Sequence, residues 1–284
     1  MRILVCFALL LLVGEMTPVM GAAKMKLDSK VKSRAVEILR AGLTSDEFWP
    51  SMHAAEALTL AGYGVLVRHE LHDRFVKETD DQRRCGLARE LARAGEDRSR
   101  VLMGILEKKD DHGHVHAAES LYKVGWRGDD TPLRKGFAQK GNMRLRLMSA
   151  AALGKQGDAA AMKFLREHVA KENDPKLFFL SAWVLGRIGE SSDCKLIRKR
   201  LPDAPDAWTR AFLEHSLASL GDKAGRQALI RNLKSDDARL RTYAAVFAGE
   251  IGLVKTKAQL IKQLDDENLD ARIRAAQSLL VLSR

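Results

Sequence analysis

The stretch Met-His-Ala-Ala-Glu-Ala-Leu-Thr-Leu-Ala-Gly, residues 52–62, recurs in degenerate form along the chain. Its final glycine is an anchor position that returns every 30 to 33 residues, at Gly95, Gly125, Gly157, Gly189, Gly221, Gly252 and Ser283. Leucine stands four residues before the anchor, and alanine seven before it, in seven of the eight copies. Self-similarity at such a period indicates a repeat protein.

Each copy carries the signals of one helical hairpin. An acidic residue or Asn stands fifteen residues before each anchor, at Glu47, Asp80, Asp110, Asn142, Asp174, Asp206, Asp237 and Asn268. Such side chains accept the free N–H groups of a helix's first turn, and glycine in the left-handed conformation commonly ends a helix. Eight stacked hairpins predict an all-α fold, a right-handed α-solenoid of the ARM-type superhelix, as one elongated domain over residues 24–284.

Apolar spacing places both helices of each hairpin. The anchor helices are predicted over 50–61, 82–94, 113–124, 143–156, 176–188, 207–220, 238–251 and 269–282. Their partners are predicted over 27–43, 64–76, 98–108, 132–139, 158–170, 192–200, 222–234 and 253–264. The first of these, 27–43, is expected to cap the array and to pair with the first anchor helix.

One repeat carries a family resemblance. Residues 237–252, Asp-Ala-Arg-Leu-Arg-Thr-Tyr-Ala-Ala-Val-Phe-Ala-Gly-Glu-Ile-Gly, resemble the short bacterial HEAT repeat of the phycobilisome-lyase-like type. The arginine of that pattern is kept at Arg84, Arg146, Arg210, Arg241 and Arg272, and is replaced at Ser51, His114 and Phe178. The resemblance implies a HEAT solenoid that serves as a scaffold or binding surface. We expect the Asp and Arg positions to cap helices and to form an Asp–Arg ladder between neighbouring repeats.

The N-terminal residues have the pattern of a signal peptide. An apolar run over residues 3–13 follows Arg2 and leads to Gly-Ala-Ala at 21–23. This predicts a leader of residues 1–23, cleaved after Ala23, because the run is shorter than the ~17–25 residues of a spanning helix. The protein is therefore expected to be secreted or periplasmic, monomeric and not membrane-spanning. Of the remaining cysteines, Cys85 and Cys194 lie about three repeats apart, too far for a disulfide.

The charge balance bears on partners. Lys and Arg number 48 against 37 Asp and Glu, so the formal net charge is +11. A basic protein attracts polyanions, and export makes nucleic acid a poor candidate. The sequence therefore predicts a protein partner first, with acidic polysaccharide or another polyanion as the alternative ligand.

Residues thirteen, nine, six and two before each anchor share one face of the anchor helix. In HEAT-like solenoids this helix lines the concave surface, so we expect a groove with aromatic, imidazole and charged groups. Its predicted members are Trp49, His53, Glu56, Arg89, His112, His116, Glu119, Arg144, Trp183, Arg187, Trp208 and His215. The competing interpretation is that the nine-before position belongs to the core, since Met148, Leu180 and Phe212 occupy it.

The pattern favours a non-catalytic binding or scaffold module without a cofactor. The alternative is a metal-dependent or lyase-like enzyme whose metal site is His112, His116 and Glu119, with the two imidazoles one helical turn apart. Deoxyhypusine hydroxylase is a HEAT-type enzyme with His-Glu iron ligands on its repeat helices. Here the only His-Glu pair, at His69, falls on the other helix of its hairpin, so that motif fails.

The leader generates a direct prediction. Expressed with an export pathway, the chain is expected to begin at Lys24, because cleavage follows the small residues at 21–23. The intact mass of the protein from the extracellular or periplasmic fraction checks this. A full-length chain that stays with the cells contradicts it.

Overall fold

The computed structural model describes residues 25–284, so the predicted leader lies outside the described residues. Within this range the chain forms sixteen α-helices and no strand. Their bounds are α1 Ser29–Leu43, α2 Phe48–Leu60, α3 Gly64–Lys77, α4 Asp81–Arg93, α5 Ser99–Leu106, α6 His114–Val124, α7 Thr131–Ala138, α8 Met143–Lys155, α9 Ala159–Lys171, α10 Pro175–Ile188, α11 Cys194–Lys199, α12 Ala207–Ser219, α13 Lys223–Asn232, α14 Ala238–Glu250, α15 Lys257–Gln263 and α16 Leu269–Leu282.

The predicted all-α solenoid of eight hairpins is confirmed. Helix ends fall within two residues of the predicted ones, except that a 3₁₀ turn, Val254–Thr256, precedes α15. The side chains of Asp80, Asn142, Asp174, Asp206, Asp237 and Asn268 each accept a backbone N–H in the first turn of their helices. Glu47 makes no such bond, and Asp110 lies three residues before the N-cap of α6, Gly113.

Six anchor glycines adopt positive φ, as predicted for a left-handed helix end, with values from 66° to 96°. Gly189 differs, because it ends α10 in an extended conformation. The repeated leucine of the anchor helices is buried at every position where it occurs, from Leu58 to Leu279, and the alanine beside it is fully buried. Each buried leucine contributes about 1.5–3 kcal/mol, and the small alanine lets adjacent helices approach closely.

The even-numbered helices α2 to α16 form an inner row in which each packs on the next. The odd-numbered helices lie outside, and each packs mainly on the inner helices of its own and the adjoining repeat. The last inner helix, α16, also packs on α1 and α2, so the row closes on itself. The expectation of an elongated array that α1 caps at one end is therefore wrong, whereas the predicted pairing of α1 with the first anchor helix, α2, is confirmed. The molecule is a ring of eight hairpins, and the lumen is the space that the inner helices enclose.

Several contacts hold the seam between the first and last repeats. The Met25 backbone N–H donates to the Leu282 carbonyl (3.0 Å), and Arg34 pairs with Asp265. Ile273 of α16 is fully buried against Gly42 of α1, where an added Cβ would lie 2.8 Å from the Ile273 Cδ1. Close helix contact at Gly42 thus brings the two ends together.

The expected ladder between cap Asp and repeat Arg is wrong. Arg241 pairs with Asp266, Arg146 stacks over Phe164, and Arg84 lies over Phe75. Ion pairs between neighbouring repeats occur instead from the outer helices to the turn that follows the next inner helix. They are Arg134–Asp158, Arg166–Asp193 and Arg198–Asp222.

Two other expectations concern the cysteines and membrane-spanning helices. Cys85 and Cys194 are both free thiols, as predicted. Among residues 25–284, no helix is long and apolar enough to cross a membrane.

Ring closure predicts even protection along the chain. The amides of α1 and α16 are expected to exchange with opening free energies within about 1 kcal/mol of those in α8, because neither end is free to fray. The measurement is native-state hydrogen exchange. Ile273→Ala should lower protection in α8 as well as in α16, by about 2–4 kcal/mol. Exchange that is fast at both ends, or an Ile273→Ala effect confined to α16, contradicts a closed ring.

Candidate functional site

Several of the predicted concave residues form ion pairs between neighbouring inner helices of the ring. Glu56 of α2 accepts from Arg274 of α16 (2.8 Å) and pairs with Arg93 of α4 (3.0 Å). Glu90 accepts from Arg93 (3.0 Å) and from Arg89 (2.6 Å). Burial disfavours the charge on Glu56, but Arg93 and Arg274 outweigh it and hold the pKa of Glu56 well below its usual range.

A histidine–carboxylate pair joins the first and last repeats inside the lumen. His53 Nδ1 lies 2.7 Å from Asp270 Oδ1. Burial, followed by the nearby charge of Arg274, lowers the pKa of His53 below its ordinary value. At neutral pH this imidazole is therefore uncharged, and its Nδ1–H donates to the Asp270 carboxylate.

Aromatic side chains span alternate inner helices. Trp49 of α2 stacks on His116 of α6, with ring centroids 5.2 Å apart and planes at 17°. It crosses α4 at Gly86, where an added Cβ would lie 3.3 Å from the indole, so any larger residue would crowd Trp49. Trp183 of α10 meets Tyr122 of α6 edge-on at 5.8 Å in the same way.

The charges beside Trp183 are also paired. Lys123 Nζ lies 2.7 Å from Glu119, and Arg187 of α10 makes two bonds to Glu250 of α14, at 2.9 and 3.0 Å. Burial disfavours the charge on Glu119, yet the charges of Lys123 and Arg89 lower its pKa to about 2. Glu119 is therefore ionised at neutral pH.

Some predicted groove residues do not line open space. His215 is fully buried and Arg89 is 4% exposed, so placing them in a groove was wrong. Burial, with the charge of Arg187, lowers the pKa of His215 to about 3, which keeps its imidazole neutral. Trp208 packs on Phe212 and Tyr243 at 4.9 Å each, so only part of it is free.

Other predicted members do reach solvent. Trp49 keeps 38% of its surface accessible, and Arg144 is exposed on α8. The structure thus divides the predicted stripe into a rim and a packed interior. The competing interpretation, that the nine-before position belongs to the core, fits Met148 and Phe212, which are both buried.

The candidate metal site is not assembled. α6 begins at His114, so His112 precedes it and is not one helical turn from His116. His112 Nε2 lies 2.7 Å from Asp80 instead, while His116 is 3.9 Å from Glu119 and stacks on Trp49. Among the described residues, no group of three His, Cys, Asp or Glu side chains is placed to hold a metal ion. The prediction of a metal site at His112, His116 and Glu119 is therefore wrong.

The structure adds lumen residues that the sequence reasoning did not name. Asp270, Arg274 and Gln277 stand thirteen, nine and six before Ser283, and Glu250 stands two before Gly252. The same helical phase that selected the other residues could have found all four. Their partners could not be read from the sequence, since Arg274 and Glu56 are 218 residues apart.

One further cluster resembles a nucleophile and its base. Ser181 Oγ lies 3.1 Å from His168 Nδ1, and His168 Nε2 is 3.1 Å from Glu172. Ser181 is fully buried and also donates to the Leu177 carbonyl (3.2 Å). No substrate can reach a hydroxyl in that position, so the cluster is structural.

The outer helices carry a second candidate surface, one of charge. Together they hold 21 Lys and Arg against four Asp and Glu. No acidic residue occurs on α5, α7, α11, α13 or α15, and the last three, which follow one another in the outer row, carry eight basic residues. We call the exposed, unpaired members of these three helices the basic belt; they are Lys195, Lys199, Lys223, Arg231 and Lys262. None has a salt-bridge partner within residues 25–284.

Comparison with known proteins gives the class. Residues 131–218 match the family model of HEAT repeats. This match supports the predicted class: residues 131–218 are HEAT repeats, and the other described repeats form helical hairpins of the same kind. No curated protein matches its sequence.

Two solved structures are similar over most of the chain. One is the complex of CpcE and CpcF of phycocyanin lyase from Nostoc sp. PCC7120, at 17% identity, with 94% of this chain and 98% of that chain covered and a TM-score of 0.48. The other is human deoxyhypusine hydroxylase in complex with glycerol, at 17% identity, with 90% and 98% covered and a TM-score of 0.40. Both likenesses are too distant to say what this chain binds.

The lumen charges predict an acid-sensitive fold. Glu119 has a pKa of about 2 when folded and an ordinary value of 4.5, so its stabilisation is complete above pH 4.5 and is lost as the pH falls toward 2. The difference corresponds to about 3 kcal/mol. Glu119→Gln should therefore lower stability at pH 7 and make it fall less steeply in acid, as urea unfolding at several pH values would show.

The control for this prediction is Glu167→Gln. Glu167 is half exposed and lies 3.9 Å from Lys163, so its removal should change stability by less than about 0.5 kcal/mol at any pH. Equal effects of the two variants would mean that the lumen pair is screened by water like a surface pair.

Proposed function

We propose that this HEAT-repeat protein is an exported, non-catalytic binding module that holds an acidic protein partner on its outer surface. The observation that carries the proposal is the basic belt, three successive outer helices without a single carboxylate. Export rests on the predicted leader, residues 1–23.

Side-chain contacts inside the lumen favour the outer surface as the binding face. The contacts Trp49–His116, Tyr122–Trp183 and Arg187–Glu250 each join alternate inner helices. A protein segment could enter the lumen only by displacing these pairs. Displacing the Arg187–Glu250 pair would leave both charges without a partner, and displacing the two aromatic contacts would expose their rings to water. A partner that binds to the outer helices would displace none of these contacts.

The belt is built for charge complementarity. Its five side chains are exposed and have no internal partner, so an acidic surface would not have to break existing ion pairs. Exposed ion pairs contribute about 0.2–1 kcal/mol each, and a cluster of one sign also speeds association through its long-range field. Binding by this surface should therefore be fast and strongly weakened by salt.

The composition of the belt favours a protein over a nucleic acid. The sequences of α11, α13 and α15 contain no Phe, Trp, Tyr or His. Proteins that bind single strands commonly add aromatic stacking platforms to their basic grooves, and this surface offers none. Acidic polysaccharide shares the charge of an acidic protein, so the experiment below includes it.

The enzymatic alternative has lost its support. It required His112, His116 and Glu119 to share one ion, and the first of these faces Asp80. The proposal accordingly assigns no catalytic residue and no cofactor.

The test neutralises the belt by combining Lys195→Gln, Lys199→Gln, Lys223→Gln, Arg231→Gln and Lys262→Gln. The probe is polyglutamate of defined length, with binding measured by fluorescence anisotropy at several salt concentrations. The variant is expected to bind at least about tenfold more weakly and with a smaller dependence on salt. Its melting temperature should hardly change, because all five side chains are exposed.

The matched control removes five other exposed lysines, at Lys30, Lys32, Lys77, Lys109 and Lys135, which leaves the same net charge. Polyglutamate binding should survive in this control. An equal loss of polyglutamate binding in both variants would show that net charge alone is responsible. That result would overturn the assignment of binding to the basic belt. Binding to a sulfated polysaccharide, with none to polyglutamate, would replace the protein partner by a glycan.

A further inference from the structure

Four consecutive repeats place a basic residue at the same level of the lumen. The position two before the anchor is Arg93 on α4, Lys123 on α6, Lys155 on α8 and Arg187 on α10. These are adjacent inner helices, so their side chains form an arc at the end of the lumen where the inner helices finish. We call these four residues the cation arc.

Three members of the arc have carboxylate partners. Arg93 pairs with Glu56 and Glu90, Lys123 with Glu119, and Arg187 with Glu250. Cations near helix C-termini are also favoured by the helix dipole, which explains their position without any ligand. These three residues therefore need no further partner.

Lys155 is different. No carboxylate of the described residues lies within salt-bridge distance of it. Its Nζ donates to the Tyr122 carbonyl at 3.0 Å and lies 5.2 Å from the Tyr122 ring. An ammonium group has three donors, so two remain for another acceptor. The residue as a whole is exposed, and its ammonium group is partly buried beside Tyr122.

Positive charge accumulates around this ammonium group. Burial, followed by the charges of Arg93, Arg127 and Arg187, lowers the pKa of Lys155 below its ordinary value. Arg127 is exposed in the turn between α6 and α7, and it too has no salt-bridge partner among residues 25–284. That turn comes close, because a Cβ added at Gly125 would lie 3.7 Å from Lys155 Nζ.

We propose that a phosphoryl group, at the end of a small ligand, binds at Lys155 beside the turn that carries Arg127. Lys155 and Arg127 are two cations without a salt-bridge partner among residues 25–284, and the turn of Arg127 approaches Lys155 at Gly125. A phosphate monoester carries about −1.5 to −2 charges at pH 7, which balances both. A carboxylate would balance only one.

This site is independent of the basic belt, since it lies at the mouth of the lumen and uses none of the belt residues. A negative result for phosphate binding at Lys155 would therefore leave the proposal of an acidic partner on the outer helices intact. A negative result for the basic belt would likewise leave the Lys155 site intact.

The test uses inorganic phosphate as the probe, with acetate as the carboxylate comparison, at constant ionic strength. Binding is followed by isothermal titration calorimetry and by the rise in melting temperature that a ligand of the folded state produces. We expect saturable phosphate binding that Lys155→Gln weakens at least about tenfold. Arg127→Gln should weaken it several-fold, because it removes the second positive charge. Its melting temperature should hardly change, because Arg127 is exposed and has no salt-bridge partner among residues 25–284.

The control is Lys163→Gln, which removes one exposed lysine from the outer helix α9 and should bind phosphate as the unaltered protein does. If Lys155→Gln lowers the melting temperature, Arg127→Gln decides the question. Unchanged phosphate affinity in both variants overturns the site, as does the absence of saturable binding. Acetate that binds as tightly as phosphate overturns the phosphoryl assignment.

Discussion

The packing of α16 against α1 and α2 is the interaction on which the rest of this structure depends. In an open solenoid the terminal repeats each leave one apolar face uncovered, and a polar cap must shield it. Here Ile273 of the last repeat is buried against the first, and backbone and ion-pair contacts join the two ends. Each repeat thus has two neighbours. Closure removes the open ends and converts a concave groove into an enclosed lumen.

An enclosed lumen changes the chemistry of the residues that face it. Charges there lose most of their water, and such charges are stable only when they are paired. Glu56 between Arg93 and Arg274, and Glu250 beside Arg187, satisfy that condition through pairs between different inner helices. The aromatic side chains fill the remaining space between alternate helices. The same pairing that makes the interior stable leaves little of it free for a large ligand.

Ring closure also explains where unsatisfied charge remains. Carboxylates are used in the lumen and at helix N-caps, whereas the outer helices are strongly basic and α11, α13 and α15 carry no acid. Inside, Lys155 is the one member of the cation arc without a carboxylate partner among the described residues. Both features are positive charge that the fold itself does not neutralise, and both therefore point to anionic partners of different size.

The sequence by itself determined the repeat, the helix ends, the caps and the helical phase of the lumen residues, because these depend on local spacing and on short-range hydrogen bonds. It could not determine that Ile273 would meet Gly42, since closure depends on a small curvature added over eight repeats. The pairing of Glu56 with Arg274 and the burial of His215 therefore appear only in the tertiary structure. The same is true of the contact between His112 and Asp80. Contacts over long sequence separations are set by the summed geometry of the ring, which no single repeat encodes.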